Sequence, residues 1–159
     1  VHEIRSSVLR LTNTYGPRMR IKDARQTFLG IWIRNLLEGK LIQVYGDGQQ
    51  RRDYNYVDDL VDALIIAATE NKAIGGVYNL GAPNPMNLSE TASIMCHGIK
   101  GASWNLVPFP KERKAIDVGD FICDYSSFSS AFGWEPKIKF EEGIKRSLEY
   151  FRSELEHYI

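Results

Sequence analysis

Two arginines stand side by side at Arg51-Arg52, behind a Gly46-Asp47-Gly48 turn and ahead of an aromatic run containing Tyr54 and Tyr56. A guanidinium pairs with phosphate through two parallel hydrogen bonds, which an ammonium cannot do. Tyr45, just before the turn, adds another flat surface of the kind a nucleobase needs. Cation and flat surface together suit a nucleotide, whereas two adjacent arginines alone are more often a solvated face. Glu112-Arg113-Lys114 is a second cationic cluster, again read as simple surface charge when taken alone. Asn13 follows the apolar, β-prone run Val8-Leu9-Arg10-Leu11-Thr12 and precedes a Tyr15-Gly16-Pro17-Arg18 turn. Open α/β sheets bind ligands beyond the carboxyl ends of their strands. An amide there can both donate to and accept from a sugar or phosphate, or can serve only to form the turn.

Acid–base candidates are few. Asp58, Asp59 and Asp62 share a helix start, where capping and solvation account for them. No tyrosine has a lysine four residues later, and Ser6-Ser7 has no partner histidine or aspartate of the kind a nucleophile requires. The residues spell out binding chemistry and no catalytic set.

The elements that must position these groups follow from periodicity. Residues 7–12 read as a short buried strand, 25–38 as a helix with Phe28, Ile31, Trp32 and Leu36 at three-and-four spacing, and 41–45 as a strand. Asp53 to Tyr56 reads as extended. Residues 58–70 read as a helix apolar on most sides, hence well buried. A strand at 77–81 precedes a helix at 88–99, with Asn87 and Glu90 spaced as a capping box. Residues 104–107 form a strand closed by Pro108 and Pro110, and 111–125 read as irregular. A short helix at 126–132 is stopped by Gly133, and a terminal helix over 140–157 carries Phe140, Ile144, Leu148, Phe151 and Leu155 on one face. The class is α/β, with too few parallel strands for a complete doubly wound sheet.

Composition narrows the function. A chain of 159 residues with 43% hydrophobic residues can build a core. Lysine plus arginine equals aspartate plus glutamate at 20 each, which leaves no electrostatic footprint for nucleic acid or an anionic membrane. No apolar run approaches the ~20 residues of a membrane helix. Cys96 and Cys123 read as reduced thiols in a cytosolic protein, and His2, His97 and His157 are too scattered for a metal site.

Four stretches, in this order, resemble the C-terminal half of NAD-dependent nucleotide-sugar epimerases and dehydratases, of the extended short-chain dehydrogenase/reductase superfamily. They are residues 9–18, Val44-Tyr45-Gly46-Asp47-Gly48 with residues 52–59, Val77-Tyr78-Asn79-Leu80-Gly81, and Phe132-Gly133-Trp134-Glu135-Pro136 before Glu141-Glu142-Gly143. The resemblance implies a partial Rossmann-type sheet, its last strands, plus a sugar-nucleotide-binding α/β domain. It implies that Asn13 contacts the sugar nucleotide near its diphosphate, that Arg52 pairs with the diphosphate, and that Gln43, Val44 and Tyr45 cover the base. It further implies that Arg113 or Lys114 is the second diphosphate cation, although a lysine stands at the position where the family often has arginine. The resemblance also places Leu11, Thr12 and Thr14 near the nicotinamide, mostly through backbone.

In that family a Tyr base, a neighbouring Lys and NAD oxidise the sugar transiently at C4. This chain has no Gly-rich dinucleotide loop and no Tyr-x-x-x-Lys pair, and it opens at Val1 in mid-pattern. Residues 1–159 are therefore expected to be the C-terminal portion of such an enzyme, without the dinucleotide-binding half. The chain alone is expected not to hold NAD well, and to associate as a homo-oligomer or domain swap through uncovered sheet surface. A UDP-glucuronate decarboxylase-type parent and a non-catalytic nucleotide-sugar-binding module are the alternatives. The resemblance implies a UDP- or dTDP-linked sugar as the ligand.

Overall fold

The computed structural model describes residues 4–23 and 27–159. Within them the chain forms β1 (Val8–Leu11), β2 (Asn13–Tyr15), α1 (Phe28–Leu37), β3 (Ile42–Tyr45), β4 (Arg51–Arg52), β5 (Tyr54–Tyr56), α2 (Val57–Thr69), β6 (Val77–Leu80), β7 (Met86–Asn87), α3 (Leu88–Cys96), β8 (Trp104–Val107), α4 (Lys111–Lys114), α5 (Ser126–Phe132) and α6 (Phe140–Glu154). The expected start of the first helix, at 25–26, lies outside the described residues, as does His2.

The strands associate in pairs. β1 runs parallel to β6, β2 to β5 and β3 to β8, while β4 and β7 are antiparallel. Parallel pairing demands a crossover between partners; α1 lies in the connection between β2 and β5, and α1 and α2 both lie between β1 and β6. At Thr12 the chain changes partner: Leu11 pairs with Leu80, whereas Asn13 pairs with Tyr54. Asn13 therefore opens a second strand rather than ending the first. That strand runs on through Tyr15, and the bend comes at Gly16.

Two cores result. The larger gathers Tyr15, Trp32 and Ile33 with Tyr54 and the apolar face of α6, from Phe140 through Ile144 and Leu148 to Phe151. The smaller holds Leu60, Ala63, Leu80, Phe128 and Trp134, and fixes α2 and α5 against β6. Local signals at the ends of these elements match the sequence. Asn87 accepts the Glu90 N–H at 2.8 Å while the Glu90 carboxylate accepts the Asn87 N–H at 2.9 Å. Gly133 ends α5 with φ 66°, a left-handed cap that glycine adopts without Cβ cost.

Several expectations are corrected. β1 is not buried: Val8 and Leu11 are 50% and 43% exposed, because one strand edge and one face of the pair have no neighbour among the described residues. For the same reason α2 is half-buried, with Val61, Leu64 and Ile65 turned outward. Asp59 is not solvated. It is buried, its carboxylate accepts the Ile138 N–H at 2.9 Å, and its carbonyl accepts the Trp134 indole N–H at 3.0 Å. Residues 111–125 are not wholly irregular. They contain α4 and then a strap, residues 117–123, that lies beside β4 and is bridged to it between Phe121 and Arg52. α3 ends at Cys96, and α6 gives way at Leu155 to a single 3₁₀ turn.

Candidate functional site

The site residues gather along one stretch of chain, from β8 through α4 and the strap. At its start, β8 pairs with β3 and carries the chain to Phe109, whose ring packs on Tyr45 with centroids 5.6 Å apart. Strand alternation turns Gln43 and Tyr45 outward and Val44 inward. Val44 is fully buried, so a ligand above β3 would meet Val44 only through its backbone. Next comes α4, where Arg113 and Lys114 are exposed.

The strap then meets β4. Alternation also separates the paired arginines. Arg51 lines a wide, shallow trough with Pro85, Glu90 and Ile94. Arg52 turns into the strap, where Nη1 donates to the carbonyls of Arg51 (2.8 Å) and Gly119, and Nη2 lies 3.6 Å from an Asp117 carboxylate oxygen. Its side chain is 11% exposed. Asp120 accepts the Arg51 N–H at 2.7 Å, and the Phe121 N–H donates to the Arg51 carbonyl at 3.0 Å. Asn13, in β2, donates its amide to the Asp53 carbonyl at 3.0 Å. The structure thus bonds Asn13 to Asp53, the residue after Arg52, and ties Arg52 to the strap that follows Arg113 and Lys114.

Behind them lies a buried polar cluster that the sequence reading did not single out. Asp53 and Asn55 are both fully buried and, two residues apart, face the same way. The Asp53 carboxylate accepts the N–H groups of Ala82 and Cys123, each at 3.2 Å. Burial pushes its carboxyl above the ordinary range, and those N–H donors act in the opposite sense. The Asn55 amide donates to the Leu80 carbonyl at 2.9 Å and to the Thr12 hydroxyl at 3.4 Å. Two polar side chains alternating with tyrosines in a strand signal such a cluster, because one face of that strand cannot be apolar.

The hydroxyls near the carboxyl end of β1 are committed internally. Thr12 donates to the Leu80 carbonyl at 3.3 Å and Thr14 to the Thr12 carbonyl at 3.4 Å. Leu11 remains exposed. A nicotinamide ring placed there would meet an apolar side chain and strand backbone, which fits that end of NAD. Among the described residues no group of histidine, cysteine, aspartate and glutamate could hold a metal ion. No helix there is long and apolar enough to cross a membrane.

Parallel strand pairs with intervening helices form a Rossmann-like α/β arrangement. UDP-glucose 4-epimerase of Thermotoga maritima, solved with UDP-glucose, superposes with TM-score 0.82 at 32% identity, over 96% of this chain and 47% of that one. UDP-glucuronic acid 4-epimerase of Bacillus cereus, solved with UDP-glucuronic acid and NAD, superposes with TM-score 0.74 at 28% identity, over 92% and 45%. A profile of the NAD dependent epimerase/dehydratase family matches residues 2–81, and this chain belongs to that family. UDP-glucuronic acid decarboxylase 1 of Xenopus tropicalis is 34% identical over 150 residues, 94% of this chain and 34% of that protein. dTDP-glucose 4,6-dehydratase 1 of Escherichia coli K12 is 32% identical over 155 residues, 92% of this chain and 40% of that protein. The chain therefore spans less than half the length of these relatives.

Proposed function

We infer that this chain binds a nucleotide-diphosphate sugar as the substrate-binding part of an NAD-dependent epimerase or dehydratase. One observation carries the reading: a single run of chain joins an aromatic pair, Tyr45 and Phe109, to a guanidinium, Arg52, that faces the strap. Tyr45, with Gln43 and the backbone at Val44, covers the base. Arg52 and one of Arg113 and Lys114 neutralise the diphosphate, and Asn13 contacts the sugar nucleotide beside it. Bound NAD would supply the hydride acceptor for oxidation at C4, with Leu11, Thr12 and Thr14 at its nicotinamide end.

In this reading residues 1–159 are the C-terminal portion of the enzyme, and the catalytic Tyr and Lys belong to the other half. The outward apolar side chains of β1, β6 and α2, among them Val8, Val77 and Ile65, support self-association or a domain swap. A cytoplasmic location belongs to the same reading. The likeness to UDP-glucuronic acid decarboxylase of Xenopus tropicalis favours a decarboxylase branch as the second reading. Calorimetric titration with UDP and dTDP tests the proposal. Arg52→Ala is expected to weaken binding by about 1.5–3 kcal/mol, the size of a lost charge-assisted contact. An unchanged affinity would remove Arg52 from the site.

A further inference from the structure

We propose that Asp53 is a positioning residue for the sugar-nucleotide site: its buried carboxylate fastens the strap, residues 117–123, against β4, and so holds the Arg52 guanidinium in one orientation. The proposal rests on the reading of Arg52 as a diphosphate cation. A carboxylate in the interior is costly unless donors surround it. Asp53 is fully buried, and the N–H groups of Ala82, just past β6, and Cys123, at the end of the strap, donate to its side chain. One carboxylate oxygen thus ties three parts of the chain together.

Gly81 shows how closely the strap is drawn in. A Cβ there would lie 2.4 Å from the Cys123 carbonyl oxygen and 2.7 Å from an Asp53 carboxylate oxygen. From Cys123 the strap runs back along β4 through the Phe121 N–H and the Asp120 carboxylate, both bonded to the Arg51 backbone. It ends on the Arg52 side chain through the Gly119 carbonyl and Asp117. The Arg52–Asp117 contact, at 3.6 Å, is too long for a hydrogen bond. A phosphate oxygen can therefore take the place of that carboxylate while the Gly119 carbonyl keeps the guanidinium aimed. Asp53 acts on Arg52 through the strap.

The test is titration of UDP and dTDP into wild type, Asp53→Ala, Asp53→Asn, Arg52→Ala and the Asp53→Ala/Arg52→Ala double variant, with thermal melts to establish folding. Asp53→Ala is expected to bind about tenfold more weakly, roughly the worth of one well-made hydrogen bond at the ligand. Asp53→Asn still accepts both N–H groups and stays within about threefold of wild type. With the strap released, adding Arg52→Ala costs clearly less than it costs in wild type, because the two residues act as one unit. A purely structural role would lower the melting point and leave the two losses additive. If Asp53→Ala does not fold, Asp120→Ala loosens the strap from its exposed side and is expected to weaken binding severalfold. A folded Asp53→Ala that binds like wild type, additive losses, or an inert Asp120→Ala in its place overturns the proposal while Arg52 keeps its role. No binding by wild type, or no effect of Arg52→Ala, overturns the reading of the site and the proposal with it.

Discussion

Gly143 is the fourth residue of α6, and its N–H already donates to the Lys139 carbonyl at 3.0 Å. By helix propensity alone, Gly143→Ala would stabilise the protein by up to about 1 kcal/mol. The packing opposes this. An added Cβ would lie 2.2 Å from the Tyr15 hydroxyl oxygen, 2.8 Å from its ring carbon Cζ and 2.8 Å from Tyr56 Cδ2. Neither ring has room to retreat. Tyr15 is 1% exposed, its centroid lies 5.6 Å from that of Tyr56 and 5.2 Å from that of Phe140, and its hydroxyl donates to the Phe140 carbonyl at 3.3 Å. Overpacking of this kind costs about 1–3 kcal/mol, and displacing the phenol forfeits about 1 kcal/mol of hydrogen bonding. Set against the propensity gain of about 1 kcal/mol, the net loss is about 1–3 kcal/mol. That corresponds to a melting point lower by about 2–12 °C for a chain of this size. Urea unfolding followed by far-ultraviolet circular dichroism and tryptophan fluorescence measures it directly. Tyr15→Phe removes the nearest atom, so in that background Gly143→Ala should cost about 1 kcal/mol less. A midpoint for Gly143→Ala at or above wild type would refute the close approach of α6 to Tyr15.

Phe128→Ala should cost about 3–5 kcal/mol, since Phe128 is fully buried at the centre of the smaller core, against the rings of Tyr78, Phe132 and Trp134; a loss below about 1 kcal/mol in urea unfolding would show that this core is not independently packed. Asp53 also makes stability depend on pH. Its carboxyl titrates above the ordinary range because of burial, so the folded state holds a proton that the unfolded state has released. That contribution is fully present below the unfolded value of about 3.9 and is lost as pH rises through the raised native value. Asp53→Asn should therefore lose less stability than wild type as pH rises from about 4, and parallel curves would contradict the sign.

Where an element is decided by its own residues, the sequence was sufficient. The capping box at Asn87 and Glu90, the left-handed stop at Gly133 and the apolar stripe of α6 are short-range matters of capping, backbone freedom and three-and-four spacing, and the folded chain keeps them. The strands β4 and β7 were not legible, because two residues carry no periodicity and exist as strands only through each other. The exposure of β1 and α2 was misjudged because an apolar segment announces that it wants cover, not whether a neighbour is present.

The candidate site divides along the same line. Residue types drew attention to Asn13, Tyr45, the Arg51-Arg52 pair and the Arg113-Lys114 cluster, since a cation, an amide and a ring are chemical properties of the side chains themselves, and the family resemblance chose Arg52 from its pair. Which of them meet is a matter of contacts across the chain. Asn13 reaches Asp53 across 40 residues, and Asp53 reaches Cys123 across 70. Arg52 faces the strap, while Arg51 faces the trough, because strand pairing fixes which side each projects from. Buried backbone N–H groups must find acceptors wherever packing leaves them. That requirement is satisfied only in the assembled fold, and it turned Asp53, an unremarked residue between Arg52 and Tyr54, into the point where the strap is held.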